Sequence, residues 1–166
     1  MEPKKSLPLI IGLIGHRKID RTEYEKALSV LDELISEVFK LAPEIPIYVL
    51  TSLAIGADRL IFHSTHIDKV HIVGVIPFSE TEYEKDFPEP EELSSFWMAK
   101  AKCKKIIVMN QDKGENRVDL DRSNGYEIAG NWISERSDLL FAVWDGNYNL
   151  QKGGTSETIK YRINNN

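Results

Sequence analysis

Five short apolar runs, each followed by a longer stretch of different spacing, limit how this chain can fold more than any other feature. The runs are LIIGLIG, IPIYVLT, VHIVGVIP, KKIIVMN and LLFAVWDG. Each is too short for a buried helix and is bounded by Pro, Gly or polar residues. None alternates cleanly between apolar and polar, as a strand with one wet face would. Strands buried on both faces have this character, and they belong to mostly parallel sheets covered by helices on either side.

The intervening segments fit that reading. RTEYEKALSVLDELISEVFKLA carries Tyr24, Ala27, Leu28, Leu31, Leu34, Ile35 and Val38 at helical spacing. Thr22 and Glu25 match a capping box at its start. GADRLIFHSTHI reads as a short helix. SETEYEKDFPEPEELSSFWMAKAK reads as one helical turn, a break at Pro88 and Pro90, then a helix from about Glu91. QDKGENRVDLDRSNG is a surface loop, YEIAGNWISERSD a helix, NYNLQKGG a loop and TSETIKYRI a helix start. Trp144 is assigned to the core, and Trp97 and Trp132 to helical core or groove positions. No internal repeat is present, and residues 1–166 read as a single domain, compatible with excision from a longer protein carrying a C-terminal effector or membrane module.

Charge and composition narrow the function. The chain of 166 residues has a net charge of −5, which argues against a broad phosphate-backbone footprint but not against one small anionic ligand in a local positive pocket. The single Cys103 rules out an internal disulfide framework and points to a reduced, cytoplasmic protein. Pro8 and Gly12 interrupt the apolar N-terminal run, which reads as a first strand rather than a signal peptide. No run is long enough to span a bilayer. His63, His66 and His71 lack a metal-ligand arrangement, and no metal is assigned.

In an open parallel sheet the ligand crevice lies beyond the carboxyl ends of the strands. Gly15, His16 and Arg17 follow the first strand. Thr51, Ser52, Gly56, Ala57, Asp58 and Arg59 follow the second. Pro77 and Phe78 follow the third, and Asp145 and Gly146 the fifth. Gly153, Gly154, Thr155, Ser156 and Glu157 then open the last helix, where backbone amides and the dipole favour a phosphate. Taken alone, that segment reads equally as a helix cap. Arg17 suits bidentate phosphate binding or plain solvation. His16 suits a base, a stacking partner, or a ring satisfied by nearby backbone. Asp58 is favoured by the dipole of its helical turn with or without a ligand. GLIGHR lacks the glycine fingerprint of conventional dinucleotide-binding domains.

With GLIGHR, TSLAIGADRL, VIPFSETEYEKDF, YEIAGNWISERSDLLFAVWDG and KGGTSETI in this order, the chain resembles the SLOG superfamily. That Rossmann-like group is named after the Smf/DprA DNA-processing proteins and the cytokinin-activating LOG enzymes. The resemblance covers nearly the whole chain and implies a Rossmann-like three-layer α/β sandwich with a mostly parallel sheet. The combination resembles the bacterial SLOG domains of conflict and antiphage-defence proteins. These imply a homo-oligomeric sensor, without a cofactor, that binds a nucleotide-derived messenger such as an ADP-ribose-like molecule and signals to an effector outside the chain. On that basis Gly15 and Arg17 contact phosphate, and Gly56 and Ala57 allow close backbone approach. Asp58 holds ribose or orients Arg17. Gly153 to Ser156 cradle a phosphate and Glu157 contacts ribose. Pro77 and Phe78 shape the base side, with Tyr126 reaching in.

LOG enzymes carry Pro-Gly-Gly-x-Gly-Thr-x-x-Glu. Here Lys152 precedes the glycine pair, Thr155 follows it directly, and Glu157 comes one position early. The segment is also similar to nucleoside 2-deoxyribosyltransferases, in which Glu157 would be the nucleophile, so N-glycosidic cleavage is the alternative activity. Single-stranded DNA binding, as in the DNA-processing proteins, is a third reading that the acidic charge disfavours.

Overall fold

The computed structural model describes residues 6–109, 122–148 and 152–165. Among them, five strands form one sheet: β1 (Leu9–Gly15), β2 (Ile47–Thr51), β3 (His71–Ile76), β4 (Lys105–Val108) and β5 (Leu139–Val143), in the order β4-β3-β2-β1-β5. Every pairing is parallel, with Leu13 opposite Thr51 on one side and opposite Phe141 on the other. The expected mostly parallel sheet is therefore wholly parallel among the described strands.

Side-chain alternation divides the core. Ile11, Leu13, Ile47, Val49 and Ile72 pack on one face with Leu31 and Ile35 of α1 (Arg21–Leu41). Ile14, Leu50, Val73 and Val75 pack on the opposite face with Ala129 and Ile133 of α4 (Arg122–Arg136). Neither face is left to water, which is why the strand sequences show no polar alternation. The result is the three-layer, Rossmann-like α/β sandwich. A third cluster at the carboxyl end of the sheet joins Leu53, Ile76 and Phe78 to Tyr83, Phe87 and Phe96. These aromatics come from α2 (Glu80–Tyr83), the 3₁₀ turn Glu84–Asp86 with its following residue, and α3 (Pro90–Ala101). Cys103 is half-buried beside this cluster, and burial lifts its thiol pKa to about 11.

Several local expectations are corrected. Helix α1 is capped by Asp20, whose side chain accepts from Glu23 N at 2.8 Å, and not by a Thr22–Glu25 box. Asp20 is the stronger cap, and Glu25 instead pairs with Arg21 at 2.8 Å. The short helix expected after β2 is present as a 3₁₀ helix, Ala57–His63. Helix α4 begins at Arg122, earlier than expected, because packing overrides the turn-prone Ser-Asn-Gly. Gly125 lies flat against Phe78, where a Cβ would sit 2.2 Å from the ring. The rest of the expected loop, residues 111–121, lies outside the described residues. Trp97 is 49% exposed on α3, and its Nε1 donates to Glu84, so it is not a core residue.

Candidate functional site

The chain adds β2, β3 and β4 on one side of β1, then returns through α4 to place β5 on the other. Beyond β1, at this change of direction, lies a cavity of about 400 Å³, within the size range of small-molecule sites. Its walls come from five parts of the chain. Ile14, Gly15, His16 and Arg17 end β1, and Ser52, Ala54 and Asp58 follow β2. Tyr126, Ala129 and Gly130 come from α4, joined by Tyr83 of α2. Lys152, Gly153, Gly154, Thr155 and Thr158 lead into α5 (Thr155–Asn164).

The loop after β2 is tied together before any ligand is considered. Thr51 Oγ1 donates to the Asp58 carbonyl at 2.6 Å and accepts from Leu53 N at 3.3 Å. Leu53 is fully buried with a left-handed φ of 61°, a strained conformation for a branched residue. Arg59 Nε donates to the Leu53 carbonyl at 3.2 Å and Nη1 to Ser95 Oγ at 2.7 Å. Arg59 therefore braces the loop and faces away from the cavity wall.

Gly56 and Ala57 do not line the cavity. Gly56 has φ 88°, and a Cβ there would stand 2.4 Å from the carbonyl oxygens of His16 and Arg17. Ala57 N donates to the His16 carbonyl at 3.2 Å. The close approach expected at this glycine is to the β1–α1 loop, not to a ligand. Asp58 does line the cavity, at 7% exposure. Its carboxyl accepts backbone hydrogen bonds from Ala54 and Gly15. Burial lifts its pKa to about 7, against the opposing pull of Arg17, those backbone donors and Arg59.

Arg17 reaches the cavity with its guanidinium 5.5 Å from the centre of the Tyr126 ring and Nη2 3.0 Å from Asp86 Oδ2. Lys152 Nζ lies 3.5 Å from Glu127 Oε2. Gly154 caps α5 without a side-chain hydrogen bond, and with Thr155 it lines the cavity. Such a helix start offers amide donors and positive potential to an anion.

The remaining expected residues sit elsewhere. Ser156 is buried at 1% exposure and is not in the cavity wall. Glu157 is also outside the wall; its Oε2 accepts from Gly153 N at 2.8 Å and closes the turn before α5. Pro77 and Phe78 are buried outside the cavity, Phe78 completely, because its ring fills the aromatic cluster against Gly125. The tyrosines at 83 and 126 take the wall position instead. Asp145 is outside the cavity wall, and His16 Nε2 lies 3.3 Å from its Oδ1. Hydrogen bonds from the Asn147 backbone and side chain hold its carboxyl below the ordinary range. Gly146 has open space around it and lines nothing.

Of the polar side chains, sequence reasoning missed Tyr83, Lys152 and Thr158 in the wall, and Asp86 and Arg122 behind it. Lys152 adjoined a motif already noted. Tyr83 and Asp86 lie inside VIPFSETEYEKDF and Thr158 inside KGGTSETI, segments that carry the resemblance but in which these residues were given no role, and Arg122 lies in the segment read as a surface loop. Among the described residues, no cluster of three His, Cys, Asp or Glu side chains could hold a metal, and no helix is long and apolar enough to cross a membrane. No protein-family model matches the chain, and no curated protein matches it.

Proposed function

We propose that the protein is a binding module whose cavity takes a small nucleotide-derived anion, in the manner of the SLOG-like sensors it resembles. The observation that carries this reading is the convergence on one cavity of Arg17, Lys152 and the start of α5, opposite the buried Asp58. Arg17 and the Gly154–Thr155 amides take a phosphate or pyrophosphate group. Asp58 accepts from a ribose hydroxyl or another donor of the same ligand. The half-buried ring of Tyr126 gives the non-phosphate part an aromatic wall with a polar tip.

The molecule acts as a sensor in this reading. Ligand occupancy alters how copies of the domain pack, and an effector outside this chain reads the change, as in bacterial signalling or antiphage defence. A calorimetric panel of ADP-ribose, cyclic ADP-ribose isomers, NAD and cyclic oligonucleotides tests it. At least one member is expected to bind, and chromatography is expected to show no release of free base. Absence of heat from every member removes the proposal; base release makes the protein an enzyme instead.

A further inference from the structure

We propose that Asp86 is a positioning residue for the cavity: its carboxylate, shared by Arg17, Arg122 and Tyr126, fixes where the Arg17 guanidinium stands for an anionic ligand. This inference rests on the reading of the cavity as an anion site.

Three connections of the fold meet at this one carboxylate. Asp86 comes from the 3₁₀ turn after β3, Arg17 from the end of β1, and Arg122 and Tyr126 from the first turns of α4. Oδ2 accepts from Arg17 Nη2 at 3.0 Å and from the Tyr126 hydroxyl at 2.5 Å; Oδ1 accepts from Arg122 Nη2. The Asp86 side chain is only 8% exposed. Two guanidiniums and a phenol hydroxyl supply hydrogen-bond donors to this buried carboxylate.

Arg122 is itself fixed. Nη1 donates to Glu82 Oε1 at 2.6 Å, and the guanidinium lies 4.6 Å from the centre of the Phe78 ring. It does not line the cavity, so it can act on a ligand only through its neighbours. Arg17 is different: its side chain is 44% exposed and reaches the cavity. Among the described residues, Asp86 is the one acceptor that takes a hydrogen bond from its guanidinium. A long side chain in that position would otherwise sample many rotamers, and ordering it beforehand favours binding. Asp86 engages one terminal nitrogen only, which leaves most of the five-donor fork to an incoming phosphate. That geometry marks Asp86 as a guide for Arg17 rather than a competitor for it.

The test is a double-mutant cycle on ADP-ribose affinity, measured by calorimetry, with folding followed by circular dichroism. Asp86→Asn is expected to weaken ADP-ribose binding by about tenfold or more. Asp86→Glu keeps the charge and is expected to recover part of the loss; it also serves if the Asn variant does not fold. In an Arg17→Gln background, Asp86→Asn is expected to have no further effect, an outcome that general loosening of the fold would not produce. Unchanged or tighter binding in Asp86→Asn, or an undiminished effect in the Arg17→Gln background, overturns the positioning role alone. Failure of the wild-type protein to bind ADP-ribose or any other member of the panel overturns the anion-site reading and this inference with it.

Discussion

A carboxyl group at 7% exposure, lying in the field of Arg17 and Arg59, faces opposing forces, and at Asp58 burial outweighs the cations. Its pKa rises from 3.8 to about 7 in the fold. The folded state therefore holds this proton more tightly than the unfolded chain does. Stability contributed by the neutral form is fully present below about pH 4 and declines as pH rises towards 7, by roughly 4 kcal/mol for this group taken alone. Urea unfolding at pH 4.5 and 7.5 is expected to show Asp58→Asn losing less stability across that interval than wild type. ADP-ribose keeps a constant charge from pH 6 to 8, so a change in its affinity over that range is expected in wild type and a smaller one in Asp58→Asn. At Gly56 the constraint is purely steric. Gly56→Ala pushes a methyl into the His16 and Arg17 carbonyls and requires an unfavourable positive φ. A loss of roughly 2 kcal/mol or more is expected in the same assay, with weakened binding through displacement of Arg17.

Among elements, α5 separates the two activities considered for this chain. A nucleophilic or acid–base Glu157 would need its carboxylate in the cavity, yet that carboxylate closes the turn at Gly153 N. Glu157→Gln is expected to cost about 1 kcal/mol of stability and to leave ADP-ribose affinity within about twofold, as read by urea unfolding and calorimetry. The strands and the long helix α1 were legible because their signals are local: apolar runs, Pro and Gly boundaries, and helical spacing. The cavity wall was legible where it follows a strand, as at Gly15, Arg17 and Asp58, or opens a helix, as at Gly154 and Thr155. It was not legible where tertiary packing decides. Gly56 looks like a glycine that makes room for a ligand, but its neighbour is the backbone of residues 16 and 17, more than thirty positions earlier. Phe78 looks like a stacking platform after β3, but the absence of a side chain at Gly125 draws it into the core. Asp86 and Arg122 carry no spacing signal, since each finds its partners only after β1, the β3–α3 connection and α4 have come together.

For the whole molecule, the order β4-β3-β2-β1-β5 determines where a ligand can go. The connections on either side of β1 diverge, and the crevice between them gathers the ends of β1 and β2 with α4 and α5. The chain is acidic overall, while the cavity wall brings Arg17, Lys152 and a helix start together with Asp58. The most direct test of the central claim is an amide chemical-shift titration of the ¹⁵N-labelled protein with the nucleotide panel. The account predicts that a binding member shifts Gly15, Arg17, Gly154 and Thr155 together and leaves the outer face of α1 unmoved. Shifts confined to another surface, or none with any member, would contradict it.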